Sequence, residues 1–225
     1  MKPQDLRQLS NTQRAVAELR EMIFAGDLPA GSDHLESELA AQLGMSRTPV
    51  REAALMLESQ GLVALRPRKG VRILPVSPND MREIYDVLTE LECLAARDAA
   101  ERRPDAAALA PLADAIEQMD AALARSYLEG WAEADDRFHH ALVVLGGNTR
   151  VQAIAALMND QVRRARAVTL FMRPVPSQSN ADHRNLLTAI RAGDADRAAT
   201  LHRSHRQSAK DLLIVLLEKH KLSRI

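Results

Sequence analysis

The chain has 225 residues, and its 30 Lys and Arg balance 30 Asp and Glu. That neutrality excludes a globally basic nucleic-acid coat and an acidic tail protein, yet it leaves room for a local basic patch. One cysteine, Cys93, excludes an intrachain disulfide framework, and no run approaches the ~20 apolar residues of a membrane helix. Residues 1–5 lack the apolar stretch of a secretory signal, so a cytoplasmic protein without membrane partners is expected. Hydrophobic residues make up 46% but aromatics only 3%, a bias towards helix.

In chain order, Val16, Leu19, Ile23 and Phe24 recur at helical spacing over residues 12–25, and Gly26 stops that helix. A second short helix spans 35–43, with Leu35, Leu39 and Leu43 in phase and Gly44 at its end. Ser46 is suited to cap a third helix over 47–60, with Pro49 in its first turn. Two strand-like runs, 62–65 and 71–74, flank the turn 66–70. This order is that of a winged helix-turn-helix domain, assigned to residues 1–75, followed by a linker at 76–78. Beyond it, six helices are predicted over 79–101, 105–125, 128–145, 150–171, 179–192 and 195–219. With no strand among them, residues 79–225 are expected to form an antiparallel all-α bundle. Cys93 falls in a buried helical run and reads as a small core hydrophobe.

The densest chemical signal is residues 39–53. Gly44 permits the sharp turn, and Ser46, Arg47, Thr48 and Arg51 cluster where a recognition helix enters a major groove. Arg47 and Arg51 are four residues apart and share a face, within reach of guanine edges or phosphate. Ser46 and Thr48 suit phosphate oxygens at a helix N-terminus. Arg66, Arg68, Lys69 and Arg72 place four cations on the wing, with Gly70 near its tip. Residues 1–75 hold 10 basic and 9 acidic side chains, and 76–225 hold 20 and 21. The cations that matter are therefore concentrated at these two places, and salt-sensitive binding is expected.

The run from Ser46 to Ala53, with Leu57-Glu58, Gly61-Leu62-Val63 and the upstream Ile23 to Leu28, resembles the DNA-binding domain of GntR-family bacterial transcription regulators. The resemblance implies that Arg47, Thr48 and Arg51, with Ser46 beside them, contact operator DNA and that Gly70 marks the wing tip. Where the family usually carries Arg in the first helix of the pair, this chain has Ser37.

Of seven histidines, His183 and His205 are in phase with apolar helix faces, His139 lies on the flank of its face, and His202 falls at the edge of its face. Asp135 stands one turn before His139; Asp136 and His140 lie farther round towards solvent. Three inward histidines and one aspartate can form a mixed N/O metal site or can equally be satisfied core residues. Residues 78–225 resemble the FCD ligand-sensing domain of the FadR-type branch of GntR regulators, through Asp135-x-x-Phe138-His139, Asp182-His183 followed by the run to Asp194, Gly147-Asn148, and His205. The resemblance implies a divalent ion such as Zn, Ni or Mn held by Asp135, His139, His183 and His205, a small-molecule effector such as an organic or sugar acid, and a homodimer. Leu88 stands where many members carry an effector-binding Arg; Arg163, Arg164 and Arg166 are candidate replacements or a solvated face.

The expected function is a ligand-responsive, sequence-specific transcription regulator, a repressor, acting as a homodimer on a pseudo-palindromic operator. The alternative is a metal-dependent hydrolase or lyase using the Asp/His cluster, although Glu133 and Asp136 point away from the expected cavity and supply no further acid or base.

Overall fold

The computed structural model describes residues 9–220; the expectations for residues 1–5 and for the last five residues of the second domain lie outside it. The described chain is mainly helical and divides into two compact units between Ser77 and Pro78.

The first unit comprises α1 (Asn11–Ala25), β1 (Asp33–His34), α2 (Glu36–Leu43), α3 (Arg47–Ser59), β2 (Val63–Arg66) and β3 (Gly70–Ile73). Ser10 and Gln13 cap α1 reciprocally: Ser10 Oγ accepts from Gln13 N, and Gln13 Oε1 accepts from Ser10 N. Gly44 adopts φ of +61° in the α2–α3 turn, a conformation that costs other residues. Leu19, Ile23, Leu39, Val50, Leu57, Leu62, Val71 and Ile73 share one core, so α1, α2, α3 and the hairpin fold around the same apolar cluster. The sheet has order β1-β3-β2. Its edge strand β1 was not expected, because two residues carry no readable alternation.

The second unit comprises α4 (Pro78–Glu101), α5 (Ala106–Ala124), α6 (Leu128–Gly146), α7 (Thr149–Thr169), a 3-10 turn (Leu170–Met172), α8 (Ser177–Ala192) and α9 (Ala195–Lys219). The helix α4 starts on Pro78, a residue assigned to the linker, because proline is well tolerated at a first helical position. It is the central helix, packing against α6, α7, α8 and α9. Small residues permit the α4–α6 approach: a Cβ on Gly146 would lie 2.8 Å from the Ala95 backbone. Gly147, at φ +76°, ends α6, and Asn148 Oδ1 then accepts from the N–H groups of Arg150 and Val151 to start α7. Leu109, Leu112, Met119, Trp131, Phe138, Leu142, Leu186 and Ile190 fill the bundle core. No helix among the described residues is long and apolar enough to cross a membrane.

Candidate functional site

In the first unit, the start of α3 and the hairpin border one groove, of about 510 Å³, lined by Leu35, Ser37, Arg47, Arg51, Arg66, Arg68 and Gly70 among others. The apolar side of α3 (Pro49, Val50, Ala53, Ala54 and Leu57) is buried, which turns Ser46, Arg47, Thr48 and Arg51 outwards, and all four are exposed. Ser46 occupies the cap position of α3, but its hydroxyl caps no backbone N–H. Two of the four wing cations are committed within the unit: Arg72 lies 3.0 Å and Arg66 3.4 Å from Asp33. Arg68 and Lys69 are exposed in the turn. Gly70 is not at the tip. It opens β3 opposite Arg66, and the tip is formed by residues 67–69. With φ of +82°, and with a Cβ that would lie 2.2 Å from His34 O, position 70 has room only for glycine against β1.

In the second unit, the fold gathers Asp135 and His139 from α6, His183 from α8 and His205 from α9, with donor atoms within 4.8 Å of one another. Their exposures are 2, 3, 1 and 8%. Asp135 Oδ2 is 3.6 Å from His139 Nε2, and Oδ1 is 3.7 Å from His183 Nε2. The His183 and His205 rings lie 4.5 Å apart between centroids. Trp131 Nε1 donates to Asn180 Oδ1 at 2.8 Å, and Asn180 Nδ2 donates to Asp120, which ties α6, α8 and α5 together and holds His183 against Phe138.

Both ring nitrogens of His183 are buried without a hydrogen-bond partner. Buried polar atoms rarely go unmatched, and three imidazoles with one carboxylate form a donor set that fits a divalent transition ion. His205 Nδ1 faces Asp182 at 3.4 Å, in the manner of an outer carboxylate that orients a ligating ring.

Arg166, on α7, lies 2.7 Å from Asp135 Oδ2 and 3.1 Å from Asp136. Burial by itself raises the Asp135 pKa, but the Arg166 charge and then the neighbouring histidines hold it well below the usual carboxylate range. Burial, reinforced by His205, pushes His183 well down. Burial also lowers His202 to about 4 against the opposing pull of Glu92. These imidazoles are therefore neutral near pH 7, the form that ligates metals.

A cavity of about 200 Å³ adjoins the cluster, bordered by Tyr85, Asp135, His139, Arg166, Arg173, His205 and Arg206. Tyr85 Oη and Arg206 Nη2 have no hydrogen-bond partner. Arg173 donates to Thr169 Oγ1 and has no carboxylate partner among the described residues. Burial and then the Arg166 charge bring it down to about 10. Leu88 is fully buried and does not border this cavity. Of Arg163, Arg164 and Arg166, only Arg166 borders it.

Several residues at this site were not singled out from the sequence. Glu92 is 0% exposed on α4, with Oε2 2.8 Å from His202 Nε2, 3.1 Å from Arg206 Nε and 3.4 Å from His139 Nδ1. Burial opposes its ionisation, yet Arg206 and then His139 hold its pKa well below the usual value. His202, expected at the edge of its face, is fully buried. The buried stripe of α9 runs through Ala198, His202, Arg206, Leu213 and Leu217. A polar Arg206 at its centre disguises that phase. The readable signal for Glu92 was a carboxylate one helical repeat of seven after Tyr85, among Leu88, Ala95 and Ala96.

The chain matches the family model for bacterial regulatory proteins of the gntR family over residues 11–73 and that for the FCD domain over 83–208. It is 47% identical over 127 residues, 56% of this chain and 74% of the relative, to an uncharacterized HTH-type transcriptional regulator in the TAR-I ttuE-ttuC' intergenic region of Agrobacterium vitis. It is 30% identical to a probable D-xylose utilization operon transcriptional repressor of Paenarthrobacter nicotinovorans, over 80% of both chains. A crystal structure of a putative GntR transcriptional regulator from Rhodococcus sp. RHA1 aligns with TM-score 0.74 and 25% identity over 91% of this chain and 98% of the other. These relatives are regulators, so the hydrolase or lyase alternative is set aside. The winged helix-turn-helix unit followed by the FCD helical unit makes this chain a member of the GntR family of DNA-binding transcription regulators.

Proposed function

We propose that this regulator is a cytoplasmic, homodimeric repressor that binds a pseudo-palindromic operator and responds to a small acidic effector beside a bound divalent ion. The observation that carries the reading is the convergence of Asp135, His139, His183 and His205 from three helices, with both His183 nitrogens unmatched. The N-terminal unit, residues 1–75, contacts DNA. Arg47 and Arg51 face a major groove, Ser46 and Thr48 take phosphates, and Arg68 and Lys69 carry the wing contact, with Gly70 closing the wing against β1. The relative named a transcriptional repressor supports the direction of control.

The helical unit, residues 79–225, senses and dimerises. When bound, a Zn, Ni or Mn-like ion supplies coordination positions for effector oxygens. Arg166 compensates Asp135, Arg206 and Tyr85 present unmatched donors to the cavity, and Arg173 adds positive charge, all of which favour an organic or sugar acid. Tyr85 and Glu92 stand on α4, whose first residue follows directly on the DNA-binding unit. An effector that binds the DNA-incompetent arrangement better than the competent one releases the operator by that difference in affinity.

The test is metal analysis of the purified protein together with operator titration at fixed salt. One ion per chain is expected in the wild type and none in His183→Ala. Arg47→Ala and Arg51→Ala are each expected to weaken operator binding by about 1–3 kcal/mol if they read a base. Unchanged affinity in both variants would refute the DNA-contact assignment, and metal-free wild type that resists reconstitution would refute the ion.

A further inference from the structure

Two carboxylates face opposite edges of the His139 ring. Asp135 Oδ2 lies 3.6 Å from Nε2, on the side shared with His183 and His205, and Glu92 Oε2 lies 3.4 Å from Nδ1. The imidazole can carry one proton when neutral, and whichever nitrogen carries it cannot ligate. Glu92 is fully buried, and a buried carboxylate is costly unless it is paired. The fold commits two further buried side chains from α9 to it: His202 at 2.8 Å and Arg206 at 3.1 Å, 0 and 2% exposed. Such a polar knot between α4 and α9 is a poor source of stability compared with apolar packing, so its position against a ligating ring asks for a role.

We propose that Glu92 is a positioning residue for the ion site: it accepts the proton-bearing Nδ1 of His139 and leaves Nε2 free to ligate, while His202 and Arg206 clamp the carboxylate in place. This rests on the metal reading above. His139 Nδ1 makes no hydrogen bond at 3.4 Å, and a closure of a few tenths of an ångström makes one. The same geometry can be read as a second ion site, since Glu92, His139 and His202 also offer donors within 4.8 Å of one another. The Arg206 guanidinium, already against Glu92 Oε2, opposes a second cation there and favours the hydrogen-bonding role.

The test uses full-length Glu92→Gln and His202→Gln beside wild type. Ion affinity is read by chelator competition with Zn, Ni and Mn, and imidazole tautomers by nitrogen-15 NMR of metal-free protein. Glu92→Gln should bind its ion about 10–100-fold more weakly, the usual cost of losing an outer carboxylate. His139 should be protonated at Nδ1 in wild type and shift to a tautomer mixture in the variant, whereas the His183 signals stay in place. His202→Gln, which keeps the carboxylate and loosens its clamp, should show a smaller change of the same sign. It also serves if Glu92→Gln does not fold. Wild-type affinity in both variants, protonation of His139 at Nε2 in wild type, or two ions per chain with one lost in Glu92→Gln would each overturn the proposal. Wild type that binds no ion would instead overturn the metal reading, and the tautomer of the metal-free protein would still decide the role of Glu92.

Discussion

Replacing Arg166 by Met isolates what the guanidinium does for Asp135. Methionine keeps most of the length of the side chain and can still pack near Trp131, whose ring lies 5.7 Å from the Arg166 guanidinium carbon. What it removes is the charge 2.7 Å from Asp135 and 3.1 Å from Asp136. Asp136 is half-exposed, so water replaces much of that second contact. Asp135 is 2% exposed and has no such recourse. Removing one partner of a buried pair costs about 3–5 kcal/mol. The lower end of that range is the expectation for this pair.

A loss of about 3 kcal/mol should lower the urea midpoint of the metal-free helical unit by about 1–3 M at usual m-values. Urea melts followed by circular dichroism, with and without chelator, provide the assay. A divalent ion would supply the missing charge, so its addition should recover a larger share of stability in the variant than in wild type. Combining Arg166→Met with Asp135→Asn should cost less than the two single changes added, because both members of the pair are then neutral. A metal-free deficit under about 1 kcal/mol, or strict additivity in the double variant, would refute the idea that Arg166 is the buried counter-ion of the site.

Further outcomes follow from the packing and the buried imidazoles. Gly146→Ala ordinarily favours a helix by about 1 kcal/mol, but its Cβ would sit 2.8 Å from the Ala95 backbone. Overpacking of about 1–3 kcal/mol should win, and a variant more stable than wild type in thermal melts would contradict the close α4–α6 crossing. The metal-free protein should also lose stability in acid. His202 has a folded pKa of about 4 against about 6.5 unfolded, so its contribution is complete above about 6.5 and disappears as the pH falls through the folded value. Lowering the pH from about 7.5 to 5 should cost about 2 kcal/mol from His202 alone, with the depressed His183 and His205 adding in the same direction. Equal urea midpoints at the two pH values would show that these rings are not buried neutral.

Local chemistry made much of the molecule legible. The recognition helix, its turn and the apolar stripe that turns Arg47 and Arg51 outwards depend on spacing within about fifteen residues. The helix order of the second unit was equally readable from periodicity and its Pro and Gly breaks. Motif order named Asp135, His139, His183 and His205, and the fold brings their donors together. What remained hidden involved partners far apart in the chain or polar residues inside apolar faces. The edge strand β1 has too few residues to show a period and exists only by pairing with β3. Asp33 binds Arg66 and Arg72 across more than 30 residues, which leaves Arg68 and Lys69 as the exposed cations of the wing tip.

Glu92, His202 and Arg206 mark the same boundary at the candidate metal site. His202 reads as an edge residue of its helix, and the charge of Glu92 and Arg206 by itself argues for solvent. Only the packing of α4 against α9 brings them to one buried point beside His139. Most helices, the family and the choice of Asp135, His139, His183 and His205 as candidate donors are legible in the chain, since those follow from local periodicity and short motifs. The tertiary structure alone decided which charges face each other in the core, because a buried ion is tolerated only where distant parts of the chain supply its partner.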